Sequence, residues 1–418
     1  MKKTICLSLL VASSLFADTA IDEIKAQLEQ QQKIITQLKA KLDMLSKKSE
    51  QHQSVQIVQN QNKSSSFSQN AYLPDIALIL NMSAVSRDVS NSDYEKYNIP
   101  GFIDNKNTQN TPIPFNKNRG FNLNYAEVAM HSTVDPYFEA FANFHLHPDE
   151  FEIGEAFVQT RSLPYGLLVK AGKFKSNFGR INSKHQHSWH FDSQPIIYEA
   201  LFGPDAISDA GIQVQYVAPT DTYIMVGAEA LQGTNKRSFG EENGNNLYVG
   251  YIKSSLDVGE NLSILSGVSI AHGTNTTKHS TDVYGGDLTF RYQLGSYSSL
   301  SWQSEYLYRA KDIGTTTNRQ DGLYSELIYQ YNNNISGGIR YDAIMKNDIN
   351  LQADYSLIDT KNLQRYTTMV EYKPFPMSRL RLSYTYDKTK VIDRQRRDTQ
   401  EVMLSLNIAA GAHGAHSY

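Results

Sequence analysis

The chain has 418 residues, a formal net charge of −3 and a single cysteine, Cys6. The near balance of charge gives no reason to expect a nucleic acid partner. One cysteine at the N-terminus excludes a disulfide, an iron–sulfur cluster and a cysteine–zinc site in the rest of the chain. The 26 tyrosines, against two tryptophans, are typical of membrane barrels, where aromatic rings lie at both interfaces.

Residues 1–17 have the pattern of a secretory signal peptide. Lys2 and Lys3 give a basic start, an apolar run follows, and small residues lie near a cut after Ala17. Cleavage after Ser14 is the alternative. The apolar run is too short for a spanning helix. Nothing later in the sequence approaches the run of about 18 apolar residues that a helical inner-membrane protein would need.

The segment 18–50 is predicted to form a short α-helical coiled coil. Its apolar residues recur at alternating spacings of three and four, an a/d heptad seam with one polar member. The seam is Ile21, Ile24, Leu28, Gln31, Ile35, Leu38, Leu42 and Leu45. Because an isolated helix of this length is marginal, we expect it to join copies of the chain into a homo-oligomer, such as a trimer. The alternative is one amphipathic helix packed on the base of the barrel. Residues 51–70, rich in Gln, Asn and Ser, are predicted to be a flexible linker.

From residue 71 to 418 the sequence predicts an all-β transmembrane barrel of antiparallel strands. Stretches of roughly 10 to 14 residues alternate between apolar and polar side chains; in Gly211–Val217, for example, Ile212 and Val214 oppose Gln213. The predicted strands are 75–85, 120–132, 136–147, 151–162, 166–176, 209–218, 221–232, 244–257, 260–272, 281–294, 297–309, 321–333, 335–345, 363–374, 377–388 and 399–409. Pairing the last of these sixteen strands with the first would close the sheet and leave no open edge in lipid.

The connections between these strands alternate in length. Those after even-numbered strands are tight, whereas 86–119, 177–208 and 346–362, which follow odd-numbered strands, are long. Bacterial barrels place short turns in the periplasm and long loops outside. We therefore expect a barrel in the outer membrane of a Gram-negative bacterium, surrounded by lipid, with the coiled coil in the periplasm. The alternative, a soluble sandwich or propeller, is disfavoured by the length of the strands.

The more apolar side of each strand is taken as lipid-facing, which assigns the charged residues to the interior. A charged interior of mixed sign, surrounded by sixteen strands, predicts a water-filled channel. The candidate pore-lining residues are Glu139, Arg291, Arg309, Arg340, Arg379 and Arg381. For any one of them, the alternative to a role in ion selectivity is reinforcement of the wall by an ion pair.

Five histidines are candidate ligands of a transition metal such as zinc. Two lie at the outer end of the third predicted strand, and three lie in the connection 177–208, which is long enough to fold back into the barrel and narrow it. They are His145, His147, His185, His187 and His190. Three or more converging imidazoles suit zinc, copper or nickel. The alternative is polar packing of the loop without a metal or any other cofactor.

The sequence ends with Tyr418, on the lipid-facing parity of the last strand. A C-terminal aromatic residue predicts recognition by the barrel-assembly machinery. The segment 399–418 is longer than one membrane crossing, so its end is expected to bend or to extend past the bilayer.

Several segments resemble a known family. They are Asp75 to Asn81, Ile99 to Phe102, Leu163 to Phe174, Lys184 to His190, Ala218 to Asp221 and the final Gly-Ala-His repeats. Through them, the region 75–418 resembles porin-like outer-membrane proteins related to phosphate-selective porins, and most of all single-barrel proteins labelled zinc-regulated outer-membrane receptors. The receptor label implies an energy-coupled plug domain, whereas only a coiled coil and a linker precede the first strand. A passive pore is therefore expected.

The sequence thus predicts a porin-type channel for passive diffusion of small hydrophilic solutes or ions, constricted by the connection 177–208. The first alternative is a metal-binding outer-membrane uptake protein that uses the His-rich loop. The second is an adhesion or envelope-tethering protein in which the coiled coil matters most. An enzyme is not expected, because the sequence lacks a Gly-x-Ser-x-Gly elbow or a comparable nucleophile motif.

Overall fold

The computed structural model describes residues 74–99, 101–102, 118–146, 151–240, 246–348, 363–392 and 395–411. The predicted signal peptide, coiled coil and linker lie outside these ranges, as do His147 and Tyr418.

The described residues form sixteen long strands, which confirms the predicted number. The strands are β1 Asp75–Arg87, β2 Gly120–Thr133, β3 Phe138–Leu146, β4 Phe151–Thr160, β5 Leu167–Lys175, β6 Ser208–Val217, β7 Tyr223–Leu231, β8 Leu247–Val258, β9 Leu262–Thr274, β10 Ser280–Gln293, β11 Ser299–Asp312, β12 Thr317–Gln330, β13 Ile335–Asp348, β14 Leu363–Phe375, β15 Ser378–Asp387 and β18 Thr399–Gly411. The short strands β16 Val391–Ile392 and β17 Gln395–Arg396 pair separately. The helices are α1 Asn91–Tyr94 and α2 Ile196–Phe202, with 3₁₀ turns at Pro164–Gly166 and Gln186–Ser188.

The sixteen long strands make one closed antiparallel barrel. Each pairs with its neighbours along the chain, with β15 followed directly by β18, and β18 pairs with β1. In that closing pair, Leu80 lies opposite Ile408 and Arg87 lies opposite Glu401. Closure satisfies the backbone hydrogen bonds that an edge strand would leave open.

The alternation of side chains gives the barrel two chemically different faces. On β14, Val370 points outwards and is 59% exposed, whereas its neighbours Met369 and Glu371 point inwards and are buried. The same pattern on β10 places Asp287 inside and Tyr284 outside. Apolar side chains therefore cover the outer wall, as the sequence predicted.

Exposed aromatic rings collect where the short turns join the strands. Tyr137, Tyr165, Tyr297, Tyr331 and Phe375 are each more than 60% exposed and belong to five different hairpins. Such a girdle is typical of the interface between hydrocarbon and headgroups.

A bulge in β4 changes which side chains reach the interior. The pairing of β3 with β4 shifts register after Asn143, which lies opposite Glu155, while Phe144 lies opposite Ile153. Gly154 is the extra residue, and a Cβ there would collide with the Asn143 side chain. The bulge brings Glu155 to the inner face, near the functional site described below.

Among the described residues, no helix combines the length and the apolar character needed to cross a membrane.

Candidate functional site

The connection between β5 and β6, residues 176–207, is called the inner loop here because it lies inside the barrel. Its two ends are tied together at the point of entry. The Ser176 N–H donates to Ile207 O at 2.9 Å, and the Asn182 amide nitrogen donates to Ser176 O and Ile207 O at 2.8 and 2.9 Å. These bonds close the loop into a compact unit at its base.

The first part of the inner loop binds acidic residues of β7, β10 and β11. The Asn177 N–H donates to Glu229 at 2.9 Å. Arg180 forms an ion pair with Asp287 at 2.7 Å, and its backbone N–H donates to Glu305 at 3.1 Å. The loop therefore extends away from β5 across the barrel interior.

The later part of the inner loop is bound by arginines on the opposite wall. Arg381 on β15 pairs with Asp192 at 2.9 Å. Arg340 on β13 donates to Ser193 O at 2.7 Å. The loop thus spans the barrel, because strands on both sides of the interior hold it.

Backbone groups of the loop form further hydrogen bonds with the same wall. Arg365 on β14 donates to Gln194 O, and Ile196 N–H donates to Asp342 on β13 at 2.9 Å. An arginine can donate several hydrogen bonds in fixed directions, which suits the attachment of irregular backbone.

An apolar core lies beneath these polar contacts, a feature that the alternation of the strands did not predict. The α2 residues Ile197 and Leu201 are fully buried, and they belong to one cluster with the wall residues Val283, Leu307 and Ile344. Helix α2 ends at Phe202 and is followed by Gly203, which has a positive φ of 86°. The sequence prediction considered strand parity alone and overlooked the apolar run in the connection.

Two other long connections pack on α2. Tyr97, between β1 and β2, donates its hydroxyl to Glu199 at 2.5 Å. Ser238, between β7 and β8, donates to Leu201 O at 2.6 Å. Burial and the Glu305 carboxylate raise the pKa of Tyr198 well above its usual value, so this hydroxyl stays protonated and donates to Glu305 at 2.6 Å.

Three of the five predicted pore-lining arginines hold the inner loop, and a fourth holds the connection between β7 and β8. Arg340 and Arg381 are buried attachments of the inner loop, and Arg379 donates to Trp189 O at 3.3 Å. Arg309 is also buried and donates to Ser238 at 2.9 Å.

Two other predicted pore-lining residues lie towards the short-turn end. Arg291 is exposed near the end of β10. Glu139, at the start of β3, accepts a hydrogen bond from Gln159 at 2.5 Å.

Three of the five predicted metal ligands come together. His145 on β3 and His185 in the inner loop lie 6.3 Å apart between ring centroids, and His187 stacks on His185 at 5.6 Å. His190 lies elsewhere and bonds Glu326 on β12 at 2.6 Å. His147 is outside the described residues.

Sequence reasoning missed the carboxylates of this cluster. Glu127 on β2 lies 3.4 Å from both His145 and His187, and Glu155 lies 2.6 Å from His185. Strand parity could have placed Glu127 in the interior. Glu155 was harder to predict, because its position depends on the β4 bulge.

Comparison with known proteins places this geometry in a family and a fold. No family model matches the sequence. A protein of Aquifex aeolicus (strain VF5) described as uncharacterised is 36% identical over 387 residues, which cover 85% of this chain and 82% of the relative.

Three solved structures have a similar barrel. The outer membrane channel DcaP of Acinetobacter baumannii has a TM-score of 0.53 at 12% identity, covering 82% of this chain and 99% of its own. An anion-selective porin from Comamonas acidovorans has a TM-score of 0.53 at 12% identity, covering 81% and 99%. The trimer form of OmpT, an outer membrane protein of Vibrio cholerae, has a TM-score of 0.51 at 14% identity, covering 81% and 100%. These likenesses confirm the porin-like fold; the finer likeness to phosphate-selective porins and zinc-regulated receptors stays a prediction.

Proposed function

The chain belongs to the same protein family as the Aquifex aeolicus protein, and we propose that it is a porin-type outer-membrane channel. It would allow passive diffusion of small hydrophilic solutes or ions, with the inner loop as its constriction. The observation that carries the proposal is the seating of this loop inside a closed sixteen-strand barrel, where both sides of the wall bind it. A loop held inside a barrel reduces the cross-section open to a solute.

The outer wall supports a location in the outer membrane. Apolar side chains such as Val268 and Val370, each 59% exposed, cover its middle, and aromatic rings mark one end. With the short turns in the periplasm, the long connections and the base of the inner loop face the outside. The barrel-assembly machinery would insert the chain from the periplasmic side.

The distribution of charge supports a polar solute. Acidic side chains lie on β2, β4, β7 and β10, while arginines gather on β13, β14 and β15. The acids are Glu127, Glu155, Glu229 and Asp287, and the arginines are Arg340, Arg365, Arg379 and Arg381. Asp342 on β13 and Glu371 on β14 pair with these arginines, so this wall carries both signs of charge. A polar interior of this kind favours ions and dipolar solutes over apolar ones.

Single-channel recording in planar bilayers tests the proposal. The full chain, refolded in detergent, is expected to give discrete conductance steps. Arg381→Ala, which weakens the attachment of the inner loop, is expected to give larger steps. If neither protein conducts while both show the heat-modifiable gel migration of a folded barrel, the channel function is wrong.

We propose homo-oligomerisation through the segment 18–50 as a feature of the channel. Its heptad seam would form a coiled coil in the periplasm, separated from the first strand by the predicted linker 51–70. A trimer is one arrangement that three parallel helices would allow.

Uptake of a transition metal is the second candidate function. The observation in its favour is that ligand atoms of Glu127, His145 and His185 lie within 4.8 Å of one another. If zinc is the cargo, it would pass through the barrel at a measurable rate. The uptake of zinc into liposomes that contain the protein and a zinc-sensitive dye measures this rate. A rate of zinc uptake equal to that of protein-free liposomes would exclude this function.

A further inference from the structure

One cluster of side chains joins the inner loop to the barrel wall and has the chemistry of a metal site. Glu127 lies on β2, His145 on β3 and His185 in the inner loop, and their ligand atoms lie within 4.8 Å of one another. Two imidazole nitrogens and a carboxylate oxygen suit zinc and its neighbours, whereas calcium and magnesium prefer oxygen ligands alone.

Two distances within the cluster, both from Glu127, resemble those between ligands of a single ion. Glu127 Oε2 lies 3.4 Å from His145 Nε2 and 3.4 Å from His187 Nδ1. These separations are longer than the common hydrogen bond length of about 2.9 Å. In a tetrahedral zinc site with bonds of about 2.1 Å, neighbouring ligand atoms lie about 3.4 Å apart.

Each of the two histidine ligands also has a second carboxylate nearby. Glu155 lies 2.6 Å from His185 Nε2, whereas Glu152 lies 3.9 Å from His145 Nδ1, beyond hydrogen-bond distance. A carboxylate bonded to one ring nitrogen, as Glu155 is to His185, favours the tautomer whose other nitrogen carries the lone pair, an arrangement common in zinc proteins. The β4 bulge brings Glu155 to the inner face, so the wall supplies both outer carboxylates.

Burial adds an independent indication of a bound cation. Glu127 is only 1% exposed, and within the described residues its Oε1 atom has no hydrogen bond partner. A buried carboxylate oxygen without a partner is costly, and a cation would satisfy it.

We propose that Glu127, His145 and His185 bind one divalent transition metal ion of the zinc class, with His187 in the fourth position. The ion is a resident clasp that fastens the inner loop to β2 and β3, rather than a cargo in transit. The side chains of Glu127 and His185 are almost completely buried, so exchange of the ion requires the loop to move. Its effect on conductance rests on the proposed channel function, whereas its binding does not.

Zinc titration of the full chain, refolded in detergent and freed of metal by a chelator, tests the site. Isothermal titration calorimetry is expected to give one zinc ion per chain. His185→Ala and Glu127→Gln are expected to weaken zinc binding about tenfold or more. His190→Ala, which lies on the same loop but contacts Glu326 instead, is the matched control and should bind zinc as the wild type does.

Heat-modifiable gel migration checks that each variant is folded. Glu155→Gln gives a milder test, since it keeps the three ligands and changes only the partner of His185; zinc binding weaker than wild type supports the site. No binding to the wild type, or equal binding to the wild type and His185→Ala, would overturn it.

Planar-bilayer conductance tests the role of the ion as a clasp. Zinc is expected to reduce the frequency of large openings of the wild type, and of His190→Ala, but not of His185→Ala. Stoichiometric zinc binding with unchanged conductance would overturn the clasp and leave the channel intact. If no form conducts, the channel function fails, while the titration still decides the site.

Discussion

Arg381 on β15 and Asp192 in the inner loop form an ion pair of 2.9 Å inside the barrel, with side chains only 1% and 3% exposed. Asp192 also accepts a hydrogen bond from Ser405 on β18 at 2.9 Å, and Arg381 pairs with Glu371 on β14 at 2.6 Å. Because charges of this kind are removed from water, each depends on its partners. This network therefore attaches the loop firmly to the wall opposite its base.

Replacement of Arg381 should release this part of the loop. Arg381→Ala leaves Asp192 and Glu371 buried without their shared cation, and loss of one partner of a buried pair costs about 3–5 kcal/mol. The expected result is a larger single-channel conductance and faster proteolysis of the loop. Both are measured on protein reconstituted in bilayers or detergent.

The control for this prediction is Arg291→Ala. Arg291 also carries a positive charge on β10, but it is exposed near the end of the strand. Arg291→Ala should change the ion selectivity more than it changes the single-channel conductance or the rate of proteolysis of the loop. Equal proteolysis of wild type and Arg381→Ala would contradict the attachment by Arg381.

Gly179 should be intolerant of a side chain. It has a positive φ of 62°, and a Cβ there would collide with the Glu305 carboxylate and the Tyr198 hydroxyl. Gly179→Ala is therefore expected to displace the start of the loop and to lower its resistance to protease. Limited proteolysis of the folded barrel measures this change.

Gly259, in the turn between β8 and β9, is the matched control. It has a similar φ of 66°, but a Cβ there would meet nothing within 4 Å. Gly259→Ala thus introduces the same backbone strain without the collision. Equal resistance of the two variants to protease would show that the space around Gly179 does not determine the position of the loop.

The fold could be predicted from the sequence because a barrel strand obeys a local rule. Alternation in Gly211–Val217 needs no knowledge of the other strands, and the structure places these residues on β6, Ser208–Val217. Parity alone likewise assigned Glu139 and Arg381 to the interior. The alternation of long and short connections identified the segment that became the inner loop.

The candidate site could be predicted only in part, because convergence is a property of three dimensions. The sequence grouped His190 with His185, five residues apart, yet the loop turns and sends His190 to Glu326 on β12. No pattern in the sequence joins Glu127 to His187 across 60 positions, although they lie 3.4 Å apart. The apolar core around α2 was also missed, because parity describes strands and not the packing of a loop.

The heptad seam in segment 18–50 predicts that oligomers depend on its apolar face. Ile35→Asp combined with Leu42→Asp places charges at two a positions and should convert oligomers to monomers on native gels. The barrel should keep its heat-modifiable migration. Gln30→Asp with Gln37→Asp adds the same charge at c positions, outside the seam, and should leave oligomers intact. Oligomers that survive the seam variant would show that the barrel wall, rather than the helix, holds the copies together.

The outward position of Val370, in the middle of β14, predicts a depth-dependent cost of charge. Val370→Arg should lower the free energy of unfolding in lipid vesicles by about 2–4 kcal/mol, because arginine at the bilayer midplane is removed from water. Phe375, the last residue of β14, is 71% exposed and belongs to the aromatic girdle. Phe375→Arg should cost about 0–1 kcal/mol in electrostatic terms, since headgroups and water can solvate the charge there. Reversible urea unfolding of both variants in the same vesicles measures the difference. Equal losses would contradict the placement of Val370 in the hydrocarbon layer, because the bulge after Tyr372 returns Phe375 to the outer face of β14, where the two positions differ in depth.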